Sequence, residues 1–373
     1  MLPLIAAFIA LSSAQMGRID SIATMVMRQQ HVDGLSLGVA RNGIVLYLRG
    51  YGYRDADAKL PSDGYTIYPV GSITKQFTAA LVLQDVARGR LALDAGNPPI
   101  RRLLDQTASG QWEYSNDNYA RLGATLERLS GMGFCALLKV RILDPLQLIS
   151  TSCSPPTTWN LATASDATAR PIAPAAGGLW SNANDLLRWL AALRGGTVLP
   201  EAFFAAMTTS ATLPGGVPVN YGFGFFVDNW YGYRVVHHNG FVPGFSSVDA
   251  LSLDDGLAVV LLSNRAAVDL DPLAKSVVAI VDEPRDRNLS AAFPQPAENE
   301  NRQITAALTA VLQTPGFEER GSLVSLEFVE RTRRADTVED TYRATFTQAQ
   351  TWIVVGYDAQ NAIVSLTIRP IDR

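Results

Sequence analysis

Apolar and polar positions alternate from residue 34 to 50, interrupted at the midpoint by Asn42-Gly43. This is the pattern of two half-buried strands joined by a tight hairpin, at about 34–41 and 44–50. The period changes at Ser72. From there to Arg88 apolar residues recur at helical spacing, and Gly89 follows as a C-cap. Further helical segments are expected at 117–130, 132–142, 182–194 and 200–208, punctuated by Pro155-Pro156 and Gly177-Gly178. Alternation returns at 221–227, 233–237, 246–253 and 258–263, with Asp254-Asp255-Gly256 turning the last pair, before a helical run at 270–281. Strands at both ends thus bracket a helical middle. The pattern predicts an α+β domain: one antiparallel sheet built from both chain ends, flanked by helices, with an inserted helical subdomain.

A polar stretch with Pro284, Pro294 and Pro296 then reads as a linker, assigned to 286–301. Beyond it a helix at 302–313 and strands at 325–331, 342–346, 352–356 and 362–369 predict a small α+β module, 302–373. The main domain is assigned to 15–285. No internal repeat is visible.

Composition narrows the function classes. Apolar residues make up 47% and charged ones 18%, a compact globular profile, and the net charge of −4 argues against a nucleic-acid partner. Residues 1–14 read as the apolar core of a secretory signal with a small-residue cleavage site near Ala14-Gln15, although no positive residue precedes it. That stretch is too short to span a bilayer, and no other run of about 20 apolar residues exists. A periplasmic or secreted protein without an integral membrane segment is expected. Cys135 and Cys153 fit either one disulfide or two buried thiols. His31, His237 and His238 are not spaced as a structural metal site, so no metal or cofactor is expected.

The chemistry lies in Ser72-Ile73-Thr74-Lys75, at the head of the apolar helix. Helix positions three apart share a face, which puts the serine hydroxyl within reach of the lysine amine. A serine is a weak nucleophile until a base takes its proton, and an amine serves only when neutral. Burial lowers a lysine pKa, and an apolar helix supplies burial. The helix N-terminus adds positive potential where an oxyanion would form.

With Tyr114-Ser115-Asn116 and His238-Asn239-Gly240 downstream, the chain resembles the serine β-lactamase and penicillin-binding-protein superfamily, in its class C β-lactamase-related branch. That branch also holds D-alanyl-D-alanine carboxypeptidases, D-aminopeptidases and esterases. The resemblance covers roughly residues 20–285. It includes Tyr119-Ala120-Arg121-Leu122-Gly123, Gly177-Gly178-Leu179-Trp180-Ser181, Tyr221-Gly222-Phe223-Gly224 and Pro243-Gly244-Phe245, in family order.

The resemblance implies a β-lactamase/transpeptidase-like fold. It makes Ser72 the acylated nucleophile, Lys75 its activator and Tyr114 a phenolate base supported by the charge of Lys75. Asn116 would orient Lys75 and a substrate amide. His238, where many relatives carry lysine, would border the substrate beside Asn239, and Gly240 would let that strand approach closely. The oxyanion hole would be the N–H groups of Ser72 and Phe241. The family register also places Cys135 and Cys153 close enough for a disulfide.

The implied activity is hydrolysis of D-alanyl peptides, D-amino-acid amides or small esters, with peptidoglycan-derived peptides among the candidates. A class C-type β-lactamase and an inactive penicillin-binding-like sensor are the alternatives, and oligomeric state is left open. One departure stands out: Ser109-Gly110-Gln111-Trp112-Glu113 joins the degenerate Thr-Ala-Ser-Gly almost directly to Tyr114, which should leave one wall of the cleft low. A competing nucleophile elbow, Gly34-Leu35-Ser36-Leu37-Gly38, sits in a strand that enters a hairpin rather than a helix, so it is set aside.

Overall fold

The structure, a computed structural model, describes residues 10–282 apart from 159, 165–171 and 214–215. Beyond them it describes 305–306, 308–309, 312, 323–333, 338–347, 350–357 and 363–370. The chain divides into two compact units, Met1–Asp282 and Glu283–Arg373.

In the first unit, α1 (Ser13–Gln29) precedes β1 (Gly34–Arg41), β2 (Ile44–Asp55), β3 (Leu60–Pro61) and β4 (Tyr68–Pro69). A 3-10 turn at Gly71–Ile73 leads into α2 (Thr74–Ala87), followed by α3 (Ile100–Leu104), α4 (Asn116–Ser130), α5 (Phe134–Leu138) and α6 (Pro174–Gly177). Next come β5 (Trp180–Ser181), α7 (Ala183–Arg194), α8 (Glu201–Met207), β6 (Phe226–Trp230), β7 (Tyr233–Val242), β8 (Phe245–Ser252), β9 (Leu257–Ser263) and α9 (Asp271–Val281).

The main sheet runs β3-β2-β1-β9-β8-β7-β6, every neighbouring pair antiparallel. The first strands of the chain therefore pair with the last of the domain, Leu37 opposite Leu261. Every residue of β8 and β9 is buried, as the central strands of a sheet covered on both faces must be. Helix α2 is buried nearly all round, the signature of a helix through the middle of a domain. Phe77 of α2 stacks on Trp189 of α7 at 3.9 Å between ring centroids, a contact whose truncation would cost about 3–5 kcal/mol.

Residues 13–29 form a helix opened by a capping box between Ser12 and Gln15, and Gln15 Nε2 also donates to the carbonyl oxygens of Ile280 and Val281 at 3.0 and 3.2 Å. The expected Ala14-Gln15 junction thus lies within the first turn of α1, and cleavage there would remove its cap. Two sequence expectations, the strand at 221–227 and the helix at 132–142, need adjustment. The strand expected at 221–227 begins only at Phe226. Upstream, Gly222 N–H donates to the Phe225 carbonyl at 2.8 Å and Phe223 N–H to that of Met207 at 2.9 Å, so the Gly/aromatic alternation is a turn over α8. The helix expected at 132–142 is α5 followed by one π-helical turn at Lys139–Leu143. Cys135 and Cys153 form a disulfide with Cα atoms 5.9 Å apart.

The second unit contains a four-stranded antiparallel meander, β10 (Leu323–Arg333), β11 (Val338–Phe346), β12 (Gln350–Tyr357) and β13 (Ile363–Pro370). Leu308 and Leu312 belong to its apolar core with Tyr342, Phe346, Ile353 and Val355. The proposed linker at 286–301 and residues 1–9 of the proposed signal lie outside the described residues.

Candidate active site

Ser72 sits in the 3-10 turn and Lys75 one residue into α2, so the Ser-x-x-Lys spacing is realised across the helix start. Lys75 is fully buried. Its Nζ lies 2.9 Å from Ser72 Oγ, 2.7 Å from Asn116 Oδ1 and 2.8 Å from the Ala176 carbonyl oxygen. Burial lowers its pKa to about 7. As a neutral amine Lys75 can donate to Asn116 and Ala176 while its lone pair accepts from Ser72 O–H, which is the arrangement a general base requires.

Tyr114, 37% exposed, lines the cleft in the segment before α4, with Lys75 Nζ 4.8 Å from its ring centroid. Burial raises its hydroxyl well above the ordinary tyrosine value, and a hydrogen bond with Ser72 opposes that rise. The resting pair is therefore a phenol beside a lysine poised near neutrality.

A residue that the sequence did not single out holds this segment. Buried Gln106 accepts through Oε1 from Ser115 N–H at 3.1 Å and from Asn118 Nδ2 at 2.7 Å, and its Nε2 donates to the Ser115 carbonyl at 3.2 Å. Nothing in its sequence neighbourhood beyond the degenerate Thr-Ala-Ser-Gly marks it. The Ala176 carbonyl was equally invisible, because its role depends on α6 packing over α2.

Strand β7 closes the other side. A Cβ built on Gly240 would fall 2.1 Å from the Val70 carbonyl oxygen, and one on Gly71 would fall 2.9 Å from Phe241 N. Only glycines allow the third-motif strand and the nucleophile turn to approach this closely, and the approach brings the Phe241 amide to the Ser72 turn. Pairing of β6 with β7 ends at Phe226 opposite His237, so no described strand flanks residues 238–242 on that side. Phe241, 53% exposed, lies on this open stretch.

His238 is buried. Its Nδ1 is 2.6 Å from the Asn239 carbonyl oxygen and its Nε2 is 3.0 Å from Tyr221 Oη. The carbonyl at Nδ1 dictates the Nδ1–H tautomer, leaving Nε2 to accept from the tyrosine. Burial, aided by the charge of Lys75, lowers its pKa to about 3, so the imidazole is neutral at physiological pH. Strand alternation sets the Asn239 side chain opposite His238 and Gly240, beside His237, with which it interacts. His237 itself faces Asp228 at 3.9 Å and Trp230. The structure thus brings together Ser72, Lys75, Tyr114, Asn116, His238, Gly240 and the Phe241 amide, while Asn239 contributes its backbone.

Ser36, the competing nucleophile, is buried inside β1, where its hydroxyl lies 2.5 Å from the Asp63 carbonyl oxygen and 3.1 Å from Tyr68 Oη. No cluster of potential metal ligands occurs among the described residues. None of the described helices is long and apolar enough to cross a membrane.

Sheet, inserted helices and the serine–lysine–tyrosine cluster together define the β-lactamase/transpeptidase-like class. The chain belongs to the β-lactamase family, whose model matches residues 19–96 and 99–282. It is 23% identical to a D-aminopeptidase of Gluconobacter oxydans (strain 621H) over 321 residues, which is 70% of this chain and 61% of that protein. It is 38% identical to the esterase EstB of Burkholderia gladioli over 89 residues, 24% of this chain and 22% of that one. Both matches span less than two thirds of the relative.

Among solved structures it is similar to the octameric penicillin-binding protein homologue from Pyrococcus abyssi, with a TM-score of 0.63 and 20% identity over 96% of each chain. It is also similar to the D-amino acid amidase from Ochrobactrum anthropi SV3, with a TM-score of 0.58 and 22% identity over 72% of this chain and 97% of that one. At these identities the structural likeness shows the fold.

Proposed function

We propose that the protein is an exported serine hydrolase that forms an acyl-enzyme on Ser72 and cleaves D-amino-acid amides, D-alanyl peptides or small esters. The observation that carries this reading is Lys75, buried, 2.9 Å from Ser72 Oγ and with its pKa lowered to about 7. Lys75 takes the proton as Ser72 Oγ attacks the substrate carbonyl. The Ser72 and Phe241 amides hold the developing oxyanion. Tyr114 O–H protonates the departing nitrogen or oxygen, and the phenolate left behind takes its proton back from the neighbouring Lys75 ammonium. Water then attacks the acyl-enzyme by the reverse sequence, releasing Ser72. The names of the relatives, a D-aminopeptidase, an esterase and a D-amino acid amidase, support the substrate classes. The apolar pattern at residues 1–14 supports export to the periplasm or medium.

Incubation with a fluorophosphonate followed by peptide mass spectrometry tests the mechanism. Wild-type protein acquires one adduct, on Ser72, and Ser72→Ala acquires none while keeping its circular dichroism spectrum. An adduct on another serine, or none at all, refutes the mechanism; absence of any adduct favours a non-catalytic sensor.

A further inference from the structure

On that acyl-enzyme reading, we propose that the leaving-group side of the cleft is an uncharged aromatic subsite, built by Trp112, Tyr114 and Phe226 over Tyr221 and His238. It selects esters and amides whose departing half is apolar and uncharged, and it disfavours departing groups that carry a carboxylate. Tyr114 identifies the side. In acyl transfer the carbonyl oxygen occupies the amide pair of Ser72 and Phe241, so the departing atom faces the phenol that hydrogen-bonds Ser72. The groups beyond that phenol border the departing half.

Those groups are rings. Tyr114 lies parallel to Phe226 with centroids 6.5 Å apart, and Trp112 stands 6.4 Å from Phe226 and 6.2 Å from Tyr221. Phe226 is in turn 5.1 Å from the His238 ring. Trp112 and Tyr114 are 39% and 37% exposed, so the wall presents ring surface rather than being spent on the core. The short junction expected to leave the cleft low on this side thus carries an aromatic side chain against it.

Charge points the same way. At the position where a lysine would offer a cation, His238 is neutral, and both its nitrogens are engaged within the protein by Asn239 and Tyr221. The only charges next to Trp112, Tyr114 and Asn116 in the chain, Glu113 and Asp117, are negative. A carboxylate here would lose water beside a neutral His238, whereas a phenyl or alkyl group loses nothing by leaving water.

The experiment uses three acetate esters with the full-length protein: ethyl, benzyl and 4-carboxybenzyl acetate, kcat/KM being read by pH-stat at pH 7.5. The expected preferences are about tenfold or more for benzyl over ethyl and for benzyl over 4-carboxybenzyl, the scale of one apolar group in a fitted pocket. Trp112→Ala and Phe226→Ala each cut the benzyl-to-ethyl ratio by about fivefold, and Trp112→Phe, which keeps a ring, restores most of it. Because the ratio is the readout, general loss of folded protein cancels. Equal rates for benzyl and 4-carboxybenzyl acetate, or ratios unmoved in Trp112→Ala, overturn the subsite while leaving acylation standing. No turnover of any ester together with no fluorophosphonate adduct overturns the subsite and the acyl-enzyme reading alike.

Discussion

Asn116→Asp places a carboxylate where Asn116 Oδ1 now lies 2.7 Å from Lys75 Nζ, and so tests whether lysine neutrality drives acylation. The drop from 10.5 to about 7 in Lys75 corresponds to roughly 5 kcal/mol of preference for the neutral amine. At pH 7 about half the native molecules hold a free base, against about 0.03% for an unperturbed lysine. An adjacent carboxylate favours the ammonium and raises the pKa by about 1–3. The neutral fraction at pH 7 then falls to between about 9% and 0.1%, a loss of about 5- to 500-fold in acylation rate.

That loss should shrink at pH 9, because the variant regains its base while the wild type is already saturated. The assay is the pre-steady-state burst with p-nitrophenyl acetate between pH 5.5 and 9.5, with thermal melts as the folding control. The acid limb is expected to move up from about 7 in the variant, whereas Asn116→Ala should lower the burst rate without that upward move. A limb that stays in place or moves down in Asn116→Asp would refute the reasoning. The same group leaves a mark on stability. The unfolded chain keeps this lysine near 10.5, so it binds more protons than the native state between pH 7 and 10.5. The contribution of Lys75 therefore makes the unfolding free energy rise with pH across that window.

Two further outcomes follow from the geometry. Gly240→Ala would drive a methyl to 2.1 Å from the Val70 carbonyl, so β7 must retreat from the Ser72 turn; fluorophosphonate labelling should slow by about 100-fold or more, and undiminished labelling would contradict the close approach. Opening the Cys135–Cys153 bridge, which spans 18 residues, should cost about 3 kcal/mol in urea unfolding with and without reductant. Two thiols alkylated in non-reduced, denatured protein would show that the bridge is not formed.

Much of the frame was legible because its causes are local. Asn42-Gly43 marks the hairpin between β1 and β2, and the strand read at 258–263 falls within β9. The Ser72–Lys75 spacing puts both side chains on one helix face whatever surrounds them. Where local pattern misleads, another segment decides. Residues 221–225 alternate like a strand, yet their backbone hydrogen bonds go to Met207, Ala211 and Val219 and to one another.

The sequence by itself determined which side chains could do acyl-transfer chemistry and the order in which the fold presents them. Only the tertiary structure decided their electrical state. Lys75 is poised near neutrality because α2 is enclosed by segments distant in the chain, which strip water from its amine. His238 is neutral because burial strips water from its ring and Lys75 opposes a second positive charge beside it. A proton's affinity depends on solvent removed and partners supplied by distant segments, and no spacing within one segment records that.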